Sequence, residues 1–390
     1  MSWLPESERP TTGPLAGVRV VELARIIAGP LAGLYLADMG AEVLKIERPG
    51  GDEMRHYGPE RWDGTGSTFL ALNRNKRSLV LDLNRPEARE RLLEIVSGAD
   101  VLVESYRPGV LERWNLTFEE LRAVNPHLVM CSITGFGDVG PAASLGANNL
   151  IAEAFGGSLS VGLPETEHML TGAPATDFFT GTSAALAVVA QLTVPRRDRR
   201  AVHVRTSLLE SQALMMSGYI VGYLATGNDP DRTTGLPFTV PNQVFETADG
   251  RIVLAANSES MWRRLCLAVG REEWLDRSDY QTNALRMERQ DEIIAELGRI
   301  LAGRPRAGWL TAFQRAQVTA APVNSVAELL DHPQFAALGL LQPSPEGYPP
   351  GTAGVRLPFT FDGGLPAPGR RRPAPRLDEA GDETSGDRQP

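Results

Sequence analysis

Along the first half of the chain, short runs of aliphatic and β-branched residues alternate with longer stretches of helical spacing. Residues 18–23, preceded by Gly17, read as a strand. Gly29-Pro30 follows, and a proline suits the first turn of a helix, predicted to run to about Met39 and to end at Gly40. Residues 42–46 and 78–83 are further strands. Residues 86–98 form a helix with Leu92, Leu93, Ile95 and Val96 on one side and charges on the other. Residues 101–105 and 128–132 complete the series, with a short helix over 117–124 between them. Strands separated by helices imply βαβ units, hence an α/β fold with a mainly parallel sheet covered on both faces. Ligands of such sheets lie beyond the carboxyl ends of the strands. The loops after Leu23, Ile46, Leu83, Ser105 and Ile133 are therefore the ones to watch.

The pattern then changes. A glycine-rich passage (146–172) leads into residues 178–190, apolar on nearly every side, which predict a buried helix. The basic run 196–200 reads as a solvated turn, and the polar residues 227–235 as a linker. From about 237 to 317 a hairpin-like stretch around Asp249-Gly250 joins several helices into a second, smaller domain. Proline and glycine are dense over 343–373, where the chain is expected to return to the first domain. The resulting division is a large domain over 10–225, a small α+β domain over 237–330, a return over 331–375, and a polar tail over 376–390 expected to be disordered.

At 390 residues, with 42% hydrophobic and 22% charged residues, the chain has ample material for a core. The net charge of −9 argues against nucleic acid, which normally meets a basic face, yet a few arginines suffice for a small anion. The two cysteines, Cys131 and Cys266, sit in apolar runs and read as small buried hydrophobes. His56, His127, His168, His203 and His332 show no metal-ligand spacing, so no metal is expected. The N-terminus lacks a basic start and an apolar segment, and no apolar run approaches the roughly 20 residues of a membrane span; a cytoplasmic protein with no membrane partner is expected. Gly29-Pro30-Leu31-Ala32-Gly33 lacks the central glycine of a dinucleotide fingerprint, and no G-x-S-x-G elbow occurs.

Several peptides in order carry a resemblance. They are residues 14–23 (PLAGVRVVEL), Ala28-Gly29-Pro30, residues 40–52 (GAEVLKIERPGGD), residues 73–78 (NRNKRS), residues 99–109 (ADVLVESYRPG), Gly135-Phe136-Gly137, and Asp177 ahead of its apolar helix. Together, over roughly residues 13–375, they resemble the family III CoA-transferases, the group that includes formyl-CoA transferase, carnitine CoA-transferase and the α-methylacyl-CoA racemases. The resemblance implies a Rossmann-like large domain built from the N-terminal half and the C-terminal return, and a homodimer of two interlocked rings. It implies coenzyme A and acyl-CoA as substrates, with no permanently bound cofactor and a carboxylic acid as the other partner. Carried over by position, Ile27 and Ala28 would sit by the thioester. Arg48, Leu81, Asn84 and Ser105 to Arg107 would line nucleotide and pantetheine, and Arg113 would approach phosphate; Lys76 and Arg77 could equally be structural. Guanidinium forks suit phosphate oxygens through paired, charge-assisted hydrogen bonds.

A lone aspartate ahead of an apolar helix is usually a cap for backbone N–H groups. The resemblance makes Asp177 the covalent nucleophile, and a helix N-terminus is expected to keep its carboxylate ionised. An ionised carboxylate needs no general base. Two departures matter. Ile27 replaces a glutamine of formyl-CoA transferase, and Asn148 and Asn149, which by position would also belong to the coenzyme-binding set, stand where the family commonly has an aromatic residue or histidine followed by an acid. An amide cannot act as a base near neutral pH, so racemase activity is disfavoured. A thioester hydrolase and a catalytically silent CoA-binding protein are the remaining alternatives. In the small domain, Phe238, Met261 and Trp262 fit either a pocket or the core.

Overall fold

The computed structural model describes residues 11–161, 172–230, 239–341, 354–367 and 372–381. Among these, six strands form a parallel sheet: β1 (Arg19–Leu23), β2 (Glu42–Glu47), β3 (Lys76–Val80), β4 (Val101–Glu104), β5 (Val129–Thr134) and β6 (Val202–Ser207). Their spatial order is 3-2-1-4-5-6. That is the doubly wound, Rossmann-type arrangement, in which the chain winds from the centre to one edge, returns, and winds to the other. The winding reverses between β1 and β4, which pair with Val20 opposite Val101 and Leu23 opposite Glu104. A crevice opens where their carboxyl ends diverge.

Helices α1 (Ala28–Asp38), α2 (Pro86–Ser97), α3 (Phe118–Val124), α4 (Asn149–Phe155), α5 (Ala175–Leu192) and α6 (Leu208–Met215) accompany the sheet. Side chains alternate across each strand, so β1 and β4 feed both faces. Val20 and Val103 join Ala32 and Leu36 of α1 and Ala184 and Val188 of α5 in one core. Val21 and Leu102 join Leu92 and Val96 of α2 and Leu121 of α3 in the other. Cys131 and Cys266 are free and buried, as their apolar surroundings predict.

The structure departs from the sequence pattern at several points. β3 begins at Lys76, two residues earlier than predicted, because the buried ammonium of Lys76 pairs with Glu22 at 2.8 Å and donates to Pro30 O and Asn73 Oδ1. Charged residues can thus enter a central sheet once they are partnered. Strand β6 went unpredicted because its apolar side chains are interrupted by His203 and Arg205, which an edge strand tolerates. The basic run is not simply solvated: Arg196 and Arg199 both clasp Asp100, and Arg199 is buried. Helix α5 is buried only along one side, and Leu186 is 70% exposed.

The described residues divide into two compact units, the second taking those between Tyr219 and Leu338 and the first nearly all of those before Gly218 and after Gly339. The second is wider than the 237–330 expected. It holds an antiparallel sheet of β7 (Asn242–Thr247), β8 (Gly250–Ala255) and β9 (Thr319–Pro322). Trp262 belongs to its core, stacked on Trp274 at 5.7 Å with Tyr280 edge-on, and Met261 packs against that core. Phe238 and His168 lie outside the described residues. Residues 376–381, expected to be disordered, are instead fastened to β3: Val80 N donates to Asp378 Oδ1 at 2.7 Å, and Ala380 is buried.

Candidate functional site

The crevice between β1 and β4 is shaped by the turn into α1. Ile26 has a φ of 72°, the left-handed region that a β-branched residue avoids. The conformation is held from all sides. Arg25 N donates to Ser105 Oγ at 3.0 Å, bridging the two strand ends, and Ile26 N donates to Asp52 Oδ1 at 3.4 Å. Lys45 Nζ donates to Ala24 O at 2.7 Å and pairs with Glu22 and Asp52, each at 3.0 Å, in a fully buried cluster. Gly29 allows α1 to start so close to β1, because a Cβ there would run into Ala24. The cap position, Ile27, contributes no side-chain hydrogen bond, so the first N–H groups of α1 have no side-chain cap.

Asp177 arrives from the opposite side, in the first turn of α5. Its placement is fixed by two contacts. On the α1 side, a Cβ at Gly181 would collide with Ala28 O and Leu31, so glycine there lets the two helices cross at close range. On the α4 side, Asn149 Oδ1 accepts from Thr176 N at 2.9 Å and from Asp177 N at 3.2 Å, capping α5 from another helix. Asn149 Nδ2 donates to Glu153 Oε1 at 2.8 Å. Asn148 caps α4 itself, its Oδ1 accepting from Ile151 N at 3.0 Å. Thr176 Oγ1 donates to Gln212 Oε1 of α6 at 2.7 Å.

These elements enclose a cavity of about 100 Å³ whose wall includes Arg25, Ile27, Ala28, Ser105, Asn148 and Asp177. Asp177 is 7% exposed, and burial first, then the Glu153 carboxylate, pushes its carboxyl up to about 6. The helix N-terminus expected to keep it ionised is therefore outweighed by desolvation and a like charge. A carboxyl at about 6 remains mainly ionised at pH 7.

Of the residues singled out in the sequence, Ile27, Ala28, Ser105, Asn148 and Asp177 share this cavity wall, and Asn149 lies directly behind Asp177. Arg48, Leu81, Asn84, Arg107 and Arg113 lie outside it. Arg48 is exposed and pairs with Glu53 at 2.9 Å; Asn84 Oδ1 accepts from Trp114 Nε1 at 3.2 Å; Leu81 N donates to Glu47 O at 2.8 Å. Arg107 and Arg113 are exposed, and Arg107 borders a second cavity, of about 290 Å³, with Glu104, Phe118, Ser132 and His203. Lys76 and Arg77 are buried, away from the cavity wall. The sequence reading missed Arg25 and Glu153. Arg25 lines the cavity, pairs with Glu53 at 2.6 Å and lies 5.4 Å over the Tyr106 ring. Its position in the loop after the first strand was the available signal. Glu153 had none, since only the fold carries α4 to the start of α5. Among the described residues no group of three His, Cys, Asp or Glu could hold a metal, and no helix is long and apolar enough to cross a membrane.

Residues 15–380 match the family described as CoA-transferase family III. The chain is 36% identical over 376 residues to succinate–glutarate CoA-transferase of Agrobacterium fabrum, covering 94% of this chain and 93% of that one. It is 34% identical over 341 residues to human succinyl-CoA:glutarate CoA-transferase, covering 86% of this chain and 78% of the other. Among solved structures, a CaiB/BaiF family protein from Brucella suis superposes with a TM-score of 0.84 at 32% identity, covering 97% of this chain and all (100%) of that one.

Proposed function

The chain belongs to CoA-transferase family III, enzymes that move coenzyme A between an acyl-CoA and a carboxylic acid, and from that premise we propose that Asp177 is its covalent nucleophile. One observation carries the reading. Asp177 is the buried carboxylate of a cavity at the strand-order reversal, facing the start of α1 whose N–H groups have no side-chain cap. Ligands of doubly wound sheets bind at that reversal.

In the first step Asp177 attacks the thioester carbonyl, the C–S bond breaks, and an aspartyl–acyl anhydride and a CoA thiolate result. The thiolate then attacks the aspartyl carbonyl, releasing the donor acid and leaving an aspartyl-CoA thioester. The acceptor carboxylate attacks that thioester, forming a second anhydride and freeing the thiolate again. Attack of the thiolate on the acceptor's acyl carbon gives the new acyl-CoA and restores Asp177. The first step is the hardest, because a weak nucleophile displaces a better one. Backbone N–H groups of Ala28 and Gly29 would stabilise the oxyanion, where one such donor is worth roughly 3 kcal/mol.

Ile27, Ala28 and Ser105 would hold the thioester and pantetheine end, while Arg48, Leu81, Asn84, Arg107 and Arg113 would take the nucleotide over the outer strand ends. Arg25 lines the same cavity while paired with Glu53, and to meet the second carboxylate of the dicarboxylic acids after which the relatives are named it would have to share its guanidinium between the two. Racemisation is disfavoured because Asn148 and Asn149 are amides engaged in capping. The interlocked homodimer is supported by apolar surface: Leu186 of α5, and Val221 and Leu224 of helix α7 (Ser217–Thr226), are 70%, 64% and 76% exposed in the single chain.

Intact-mass analysis after incubation with succinyl-CoA, glutaryl-CoA and acetyl-CoA tests the mechanism. An adduct that maps to the Asp177 peptide and disappears on hydroxylamine treatment is expected. Full transferase turnover in Asp177→Asn would overturn it.

A further inference from the structure

We propose that Asn149 and Glu153 form a positioning pair that presents Asp177 to its substrate and sets the pH range in which it attacks. The proposal rests on Asp177 as the nucleophile. An asparagine amide is nearly symmetric in shape, and only its neighbours decide which end faces which way. Glu153 decides it here. Lying one helical turn beyond Asn149 on α4, it accepts from Nδ2 at 2.8 Å, which turns Oδ1 toward the N–H groups of Thr176 and Asp177. Glu153 is 6% exposed, so water competes little for that bond. The backbone that bears the nucleophile is thereby anchored to a different helix.

The same arrangement places a second carboxylate behind Asp177. Its negative charge opposes ionisation of Asp177 and adds to the effect of burial. A more basic carboxylate is the stronger nucleophile toward a thioester, provided it remains ionised at working pH. The other charges around Asp177 leave Glu153 as the dominant partner. From the loop ahead of α1 comes Arg25, already engaged by Glu53. From α6 comes Glu210, whose carboxylate accepts from Ser207 Oγ at 2.8 Å. From the end of β4 comes Glu104, which faces the larger cavity. Thr176 and Gln212 are neutral.

The experiment measures the rate of Asp177 acylation by intact mass from pH 4.5 to 8, using succinyl-CoA in single turnover. The unaltered protein should lose activity on the acid side with a midpoint near 6. Glu153→Gln keeps an oxygen for Asn149 Nδ2 but removes the charge, so the midpoint should fall by about one unit. Asn149→Asp adds a charge at the same spot and should move the midpoint upward. Asn149→Ala leaves the charges and removes the anchor; its rate at pH 8 should drop roughly tenfold with the midpoint little changed. An unchanged midpoint in both Glu153→Gln and Asn149→Asp overturns the pair while leaving the nucleophile in place. Absence of any adduct on Asp177 in the unaltered protein overturns both.

Discussion

Glu104 ends β4 and is 4% exposed, and burial pushes its carboxyl up to about 7, against hydrogen bonds from Ser132 and the Tyr106 backbone. The sign follows from proton counting. Between pH 4.5 and 7 the folded chain holds a proton that the unfolded chain has released, so stability attributable to Glu104 is greatest below pH 4.5 and is lost as pH rises through 7. Glu104→Gln should remove this dependence and raise stability near pH 7.5 by at most about 3 kcal/mol, with little change near pH 4.5. Urea unfolding at the two pH values measures it. Gly181 is a different kind of residue-scale constraint, since its missing side chain is what lets α5 reach α1. Gly181→Val should cost about 1–3 kcal/mol in denaturant melts and, by displacing Asp177, reduce turnover more than the KM for acyl-CoA.

At the scale of elements, β3 is one edge of the parallel sheet, and an exposed edge invites wrong pairing. The returning segment deals with it. Val80 N donates to Asp378 Oδ1, Asp378 N donates to Ser78 Oγ at 3.3 Å, and Asn75 N donates to Arg372 O at 3.0 Å. Arg372 also pairs with Glu379 at 3.3 Å. Asp378→Ala should therefore destabilise by about 1 kcal/mol, by leaving a half-buried strand N–H without its acceptor. Hydrogen exchange localised to β3 should rise at the same time. Helices α4 and α5 show the same logic at the site, where a side chain of one caps the other and a short-range rule becomes a long-range tie.

For the whole molecule, α7 leaves Ile220, Val221, Tyr223 and Leu224 exposed, and α5 leaves Leu186 exposed, apolar surface of the kind that meets another chain. Light scattering should give twice the mass of a single chain at micromolar concentration. Leu224→Glu should shift the population toward monomer and cut transferase activity with it. A monomer that retained full activity would remove the interlocked homodimer from the account.

The sequence by itself determined the α/β character, the central strands β1, β2, β4 and β5, and the existence of α5, because these are local matters of spacing and punctuation; α5 itself opens at Ala175, ahead of the predicted 178, and takes Asp177 into its first turn. Resemblance supplied Asp177, Ala28 and Ser105. What only the tertiary structure decided was everything that depends on pairing at a distance. Lys76 could open a buried strand because Glu22 waited opposite; β6 could carry His203 and Arg205 because it fell at an edge. Glu153 and Arg25 joined the site because α4 and the first loop converge on it. Hydrophobic periodicity records which face a residue turns inward, and it carries no record of which polar partner it will meet there.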